Sequence, residues 1–396
     1  MSDNLLNSDR GYCMIPPHPD LLSRLRAQHL QAQPSTDSEG HGVPPQQSLP
    51  RLRGPRPPPT AAERRVRNMV FERRALRGPI RFVVYCPISS ARCSSADKYS
   101  VAVVLVDFSD KPMANHSFQR FNDLFFSRGT LPTGSVTEYY AEVSNQAISL
   151  TGQVVGPFQM PKRLSEYANG NFGRGQAAPN SRTLAADALA LANGNIDFRT
   201  YDNDGNGYVD AFIVVHAGTG GEQSGNVNDI WSVKWFLPNE TPVDGVKVFG
   251  FLTILEDANI GVCAHELGHL LFEWPDLYDI DFGGDPSNIG IISQGIGNWC
   301  LMASGSWGRL LGNAPGTTPC HPSAWCKKNQ GWVTAVRETQ NRSLTLGDVK
   351  STHQVHLLWS NDDATSKEYF LIENRQSAGF DRSLPGFGLL SKLLAL

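Results

Sequence analysis

Long apolar runs are missing from this 396-residue chain, and with no stretch of the roughly eighteen residues a membrane-crossing helix needs, none is expected. The opening residues, Met1 to Arg10, lack the basic start and apolar middle of a signal peptide. No two cysteines stand in C-x-x-C spacing, which excludes a zinc knuckle of that type. Charge of one sign is scarce too. The net charge is −3 and the pI about 6.4, so nothing overall points to a nucleic-acid partner. Core material is plentiful: 40% of the residues are hydrophobic, enough for one large or two medium domains.

The stretch that organises the chain runs from Cys263 to Asp279 and contains His265-Glu266-Leu267-Gly268-His269, an H-E-x-x-H pattern. Residues four apart share a helix face, so His265 and His269 can offer two imidazole nitrogens to one metal ion. Glu266 projects from a neighbouring part of the same surface, where a carboxylate can take a proton from metal-bound water as a general base. Two imidazoles with an open coordination position suit Zn²⁺, which lowers the pKa of its water towards neutrality. Ile260 to Ala264 lead in as an apolar approach, Leu267, Leu270 and Leu271 supply a burying face, and Pro275 stops the helix. The chemistry this predicts is metal-assisted hydrolysis.

That helix, the block Pro275-Asp276-Leu277-Tyr278-Asp279 and the later segment 295–308 around Met302 together resemble the bacterial immune inhibitor A metallopeptidases of the metzincin clan. The likeness runs from about Ser100 to Leu390 and takes in residues 202–210 and 316–325. It implies an α+β fold with a zinc-binding active-site helix, His265 and His269 as ligands, Glu266 as base, and Met302 in a methionine turn beneath the metal. One position departs from the family. Its glycine, three residues after the second histidine, is here Phe272, and Pro-Asp arrives one residue late. A non-glycine residue resists positive φ, so the turn is expected to be built differently, with Glu273-Trp274 bulging out. Aligning the Pro-Asp-Leu-Tyr-Asp block makes Asp276 the third ligand, with Glu273 and Asp279 as alternatives.

Three regions are expected: residues 1–95 as a pro-segment-like region, 96–340 as the catalytic domain, and 341–396 as the start of an incomplete β-rich region. Asp20 to Gln31 has helical spacing and reads as a short docking helix. Residues 31–60, rich in Pro, Gln, Ser and Gly, cannot bury enough surface to order themselves. From Arg51 to Arg81 ten arginines face two glutamates, a run that is solvated, docks on the acidic remainder, or offers a processing site. Val101 to Phe108 and Ala211 to Gly218 predict buried strands. Ser135 with Glu138 forms a capping box ahead of a helix, and Ser181 to Asn193 predicts an Ala/Leu-rich one. Beyond Trp332, Ser343–Leu346, His353–Trp359 and Glu368–Glu373 alternate like strands. The chain then ends short of the family pattern on an apolar tail, which is expected to leave a sheet edge.

Asp202, Asp204, Asn206, Tyr208 and Asp210 alternate about Gly207, matching the first nine positions of an EF-hand-type loop for Ca²⁺. Ile213 stands where the bidentate glutamate belongs, so a full EF-hand is excluded and a metal-free polar turn is the alternative. His216, Glu222 and Asp229 read as structural. The seven cysteines are odd in number. Cys263 with Cys300, Cys320 with Cys326, and Cys86 with Cys93 could bridge, or the thiols stay free. Cys13, in a compact segment ahead of the basic linker, could reach the metal and hold the chain latent.

Together these features predict a zinc-dependent metalloendopeptidase acting on protein or peptide substrates, with Zn²⁺ and Ca²⁺ as cofactors and Glu266 activating the zinc-bound water. The alternative is a catalytically silent homologue that uses the scaffold for binding, because Phe272 and the short C-terminus depart from the family. A calcium-stabilised adhesion module would leave the His-Glu-His set without purpose. The resemblance implies an extracellular protein, although no signal peptide is visible.

Overall fold

In the computed structural model, which describes residues 12–32, 97–114, 117–278, 294–340, 342–359 and 368–395, the chain forms two units by contact. Residues 1–26 belong with 94–396, and residues 27–93 form the second unit. Both β-sheets lie in the first unit. Its fold is α+β, as expected.

The larger sheet has six strands: β1 (Cys13–Met14), β2 (Asp97–Asp107), β3 (Ile148–Gln159), β4 (Phe212–His216), β5 (Val233–Val243) and β6 (Val246–Leu255). Their spatial order is β1-β5-β6-β4-β2-β3. β2 pairs in parallel with β3 and β4, and β4 with β6, whereas β5 runs antiparallel to β6. Val101 to Val106 are buried without exception, which is why β2 reads as a continuous apolar run instead of an alternating one. The helices Ser117–Phe126 and Val136–Val143 pack on β3, and Ser181–Ala192 packs chiefly on β5. Ser135 and Glu138 form the capping box at the start of the second of these.

The smaller sheet holds β7 (Thr334–Arg337), β8 (Gln354–Trp359), β9 (Glu368–Arg375) and β10 (Gly388–Ala395) in the order β10-β9-β8-β7. The expected strand at 343–346 is not formed. Its alternation has no partner edge to pair with, and Leu344 stays exposed. The apolar tail instead supplies β10, an edge strand with Leu389 exposed to solvent. Val333, Val349, Val355, Leu357, Tyr369 and Leu371 form the core of this region.

β1 is the least expected element. Two residues from the N-terminal segment add antiparallel to β5, with Cys13 opposite Lys234 and Met14 opposite Val233. Tyr12 through Pro16 are buried there.

Candidate active site

The helix Ile260–Phe272 carries the H-E-x-x-H residues, and all thirteen of its residues are buried. Buried on every side, this helix lies inside the domain and packs against β6 and β5. Tyr140 donates its hydroxyl to the Ala264 carbonyl at 2.6 Å, tying the helix to Val136–Val143. Gly268 is required by close approach: a Cβ there would meet Met302 Sδ and Trp274 at 2.9 Å. Met302 therefore lies directly under the helix, and its carbonyl accepts from Leu277 N at 2.8 Å.

The missing family glycine is compensated one residue on. The helix continues through Phe272, and Glu273 takes the left-handed conformation at φ 56°, ψ 30°. The N–H of Trp274 then reaches back to the Gly268 carbonyl at 3.1 Å. A C-cap at the next position absorbs the one-residue delay of Pro-Asp, so the expected bulge is not needed. Phe272, at 5% exposure, packs against Tyr140, Trp274 and Trp332 instead of turning the chain.

This turn carries Asp276 back over the helix. Its Oδ1 lies 3.2 Å from Nε2 of both His265 and His269, which are themselves 3.0 Å apart. Glu273, the alternative ligand, serves as the helix C-cap through its backbone and is not in the cluster of ligand atoms around Asp276; Asp279 lies outside the described residues. The chemistry of the donor set fits a cation. His265 Nδ1 bonds the Leu301 carbonyl at 2.8 Å, and His269 Nδ1 bonds the Trp274 carbonyl. A carbonyl can only accept, so both Nδ1 atoms carry the proton and both Nε2 atoms present lone pairs. Two lone pairs and a carboxylate oxygen at such distances repel unless a positive charge lies among them. Burial lowers the His269 imidazole, so the neutral, metal-binding form is favoured.

Glu266 is completely buried, and neither carboxylate oxygen has a hydrogen-bond partner among the described residues. Burial pushes its carboxyl well up, reinforced by Asp276 and Glu222.

The N-terminal segment lies across this centre. Met14 O is 3.1 Å from His265 Nε2 and accepts from the Tyr278 hydroxyl at 2.6 Å. Met14 N leans on Asp276 Oδ2 at 3.4 Å. Cys13 offers its Sγ to the same centre, within 4.8 Å of ligand atoms of His269 and Asp276. Burial, seconded by Asp276, pushes the Cys13 thiol far up. The Met14 side chain reaches the Arg174 guanidinium, whose Nη1 is 3.3 Å from Sδ and whose plane stacks on Phe172 and Trp231. Tyr278, Trp231, Trp307 and Arg174 were not singled out from sequence. Apart from the place of Tyr278 in the Pro-Asp-Leu-Tyr-Asp block and of Trp307 in the 295–308 segment, no local signal marks them.

In the 202–210 loop, oxygens of Asp202, Asp204 and Asp210 lie within 4.8 Å of one another. Asp202 accepts from the N–H groups of Asn206 and Gly207 at 3.0 and 2.8 Å, and Asn206 Oδ1 accepts from Tyr208 N at 2.8 Å. Asp210 accepts from Asn203 N at 2.7 Å. The Tyr208 side chain points to Glu240, leaving its backbone for the loop. His216 is buried with Nδ1 on the Ala217 carbonyl, and Glu222 braces Ser232 at 2.6 Å at the start of β5. Both are structural contacts.

Cys13, Cys263, Cys300, Cys320 and Cys326 are free. The pairings Cys263–Cys300 and Cys320–Cys326 are thus not formed: Cys300 accepts from the Met302 N–H at 3.4 Å, Cys326 accepts from the Ser323 hydroxyl at 3.3 Å, and Cys320 turns to the carbonyls of Asn298 and His321. Cys86 and Cys93 fall outside the described residues, as does the arginine-rich stretch 51–81.

Comparison with known proteins gives matches over the same region. Residues 90–333 match the family model for the immune inhibitor A peptidase M6 catalytic domain. The pre-pro-metalloprotease PrtV of Vibrio cholerae serotype O1 is 28% identical over 314 residues, covering 66% of this chain and 33% of that protein. Immune inhibitor A of Bacillus thuringiensis subsp. alesti is 30% identical over 215 residues, covering 46% of this chain and 29% of its own. This chain thus spans about a third of the length of the curated relatives it matches. Among solved structures, metalloproteinase-II from Bacteroides fragilis aligns at a TM-score of 0.28 and 13% identity over 61% of this chain and 55% of its own, a likeness too loose to define the fold.

Proposed function

Because the chain belongs to the immune inhibitor A peptidase M6 family, we propose that it is a zinc-dependent metalloendopeptidase of the metzincin type, acting on proteins or peptides outside the cell. The observation that carries the reading is the convergence of His265, His269 and Asp276 on one point beside an unpartnered, buried Glu266. Zn²⁺ held by those three residues supplies Lewis acidity and lowers the pKa of water towards neutrality. Glu266 takes a proton from the attacking water as its oxygen bonds to the peptide carbonyl carbon, and the π pair moves onto the carbonyl oxygen. When that pair returns, the C–N bond breaks and Glu266 passes its proton to the departing nitrogen. Water, peptide bond, new carboxyl and new amine balance. Against a silent homologue stands the Glu273 cap, which offsets the loss of the family glycine.

Two further parts belong to this reading. Ca²⁺ binds the 202–210 loop through Asp202, Asp204, Asn206, the Tyr208 backbone and Asp210, and stabilises the domain. Cys13 holds the chain latent, since its sulfur stands among the metal ligands and the segment that bears it fills the site.

The test is metal analysis with casein cleavage, after limited trypsin nicking in the 51–81 stretch and trypsin inhibition. One zinc per chain and cleavage abolished by a chelator are expected. A zinc-loaded protein that leaves casein intact identifies the silent homologue.

A further inference from the structure

Three consecutive carbonyls of the N-terminal segment are held by three aromatic side chains from distant parts of the catalytic unit. Tyr278 donates to Met14 O at 2.6 Å, Trp231 Nε1 to Ile15 O at 2.9 Å, and Trp307 Nε1 to Pro16 O at 2.9 Å. All three donors are buried, where an unmatched N–H or O–H is costly, so each is fixed in aim. The first of these carbonyls also lies 3.1 Å from His265 Nε2, at the point where the ligands converge. The next N–H along the chain, that of Ile15, donates to the Ser232 carbonyl at 3.4 Å, which holds the plane of the Met14–Ile15 peptide. The Met14–Ile15 bond therefore presents its carbonyl oxygen where the bond to be hydrolysed would present it, at the point on which the histidines and Asp276 converge.

We propose that Tyr278, Trp231 and Trp307 form a ladder that grips substrate by three successive backbone carbonyls, with Tyr278 on the carbonyl of the bond to be cut. The inference rests on the endopeptidase reading. Tyr278 is then a catalytic residue, because its hydrogen bond strengthens as the π pair moves onto the carbonyl oxygen. Trp231 and Trp307 bind peptide in ground and transition state alike. The ladder asks for carbonyls only. Pro16 and Pro17, which have no N–H to give, are accommodated in it, so the site accepts extended peptides with proline at the second and third positions after the cut.

The experiment uses the full chain, nicked in the 51–81 stretch so that its N-terminal segment exchanges with a labelled peptide of sequence Tyr-Cys-Met-Ile-Pro-Pro-His. Wild type, Tyr278→Phe and Trp307→Phe are compared in zinc content, in kcat and KM on a quenched peptide, and in labelled-peptide affinity after metal stripping. Zinc content should be equal in all three. Tyr278→Phe should lose ~10²–10³-fold in kcat with little change in KM. Trp307→Phe should raise KM about two- to tenfold and leave kcat alone. Both should weaken peptide binding to the metal-stripped protein. A Tyr278→Phe variant that raises KM and keeps kcat overturns the catalytic assignment, and unchanged peptide affinity in both variants overturns the ladder. Should the wild type not turn over at all, the endopeptidase reading fails, while the affinity arm still decides the ladder.

Discussion

The backbone carbonyl of Trp274 accepts the Nδ1 proton of His269, and it can do so only because Glu273 adopts a left-handed conformation. A carbonyl placed this way orients the ring so that Nε2 faces Asp276. Left-handed backbone costs a non-glycine residue about 1–2 kcal/mol. Glu273→Gly should therefore keep its zinc and hold or raise the thermal midpoint. Asp276→Ala should lose metal sharply. Zinc analysis and thermal unfolding of the two variants check this, and metal loss in Glu273→Gly alone would make Glu273 the third ligand.

Ca²⁺ should raise the thermal midpoint. Binding to the folded state alone stabilises it by ~2.7 kcal/mol at a hundredfold excess over Kd. The double variant Asp202→Ala/Asp204→Ala should lose that response and retain zinc; a calcium response that survives moves the site elsewhere.

The smaller sheet should weaken in acid. Lys327 pairs with Glu373 at 2.8 Å, both buried. Burial alone would raise the Glu373 carboxyl, yet Lys327, Lys392 and Arg375 together hold it at about 2, below its ordinary 4.5. A depressed carboxyl stabilises above its unfolded value, and that contribution fades as pH falls from about 4.5 towards about 2. Urea unfolding between pH 6 and pH 3 should show wild-type stability falling, whereas Glu373→Gln should be weaker at pH 6 by about 3–5 kcal/mol and less pH-dependent below it. Parallel curves for the two proteins would deny the pair this role.

Latency through Cys13 predicts a rate ordering. Full-length wild type should cleave peptide slowly, and Cys13→Ser or a chain starting at Ala96 should be at least about tenfold faster, the effect of a 1.4 kcal/mol weaker hold. Equal rates for wild type and Cys13→Ser would remove the sulfur from the account.

The helix Ile260–Phe272 was legible in the sequence because its two histidines lie four residues apart and its ends are marked locally. The Ser135–Glu138 capping box was legible for the same reason. The residues that close the site were not, because they are assembled by long-range pairing. β1 is only two residues long and meets β5 from about 220 residues away, a separation no periodicity reports. The strand expected at 343–346 failed in the opposite sense, since alternation without a partner edge makes no ladder. The delayed Pro-Asp, read as a defect, proved a displacement of the helix cap by one residue.

The most direct measurement is Glu266→Gln, assayed for zinc content and for turnover in the nicked, chelator-sensitive form. As a base that is not a ligand, Glu266 should be dispensable for the metal and necessary for hydrolysis, its contribution being ~10²–10⁴-fold. About one zinc per chain and a rate reduced by that factor are expected. Zinc lost together with activity, or activity retained without Glu266, would contradict it.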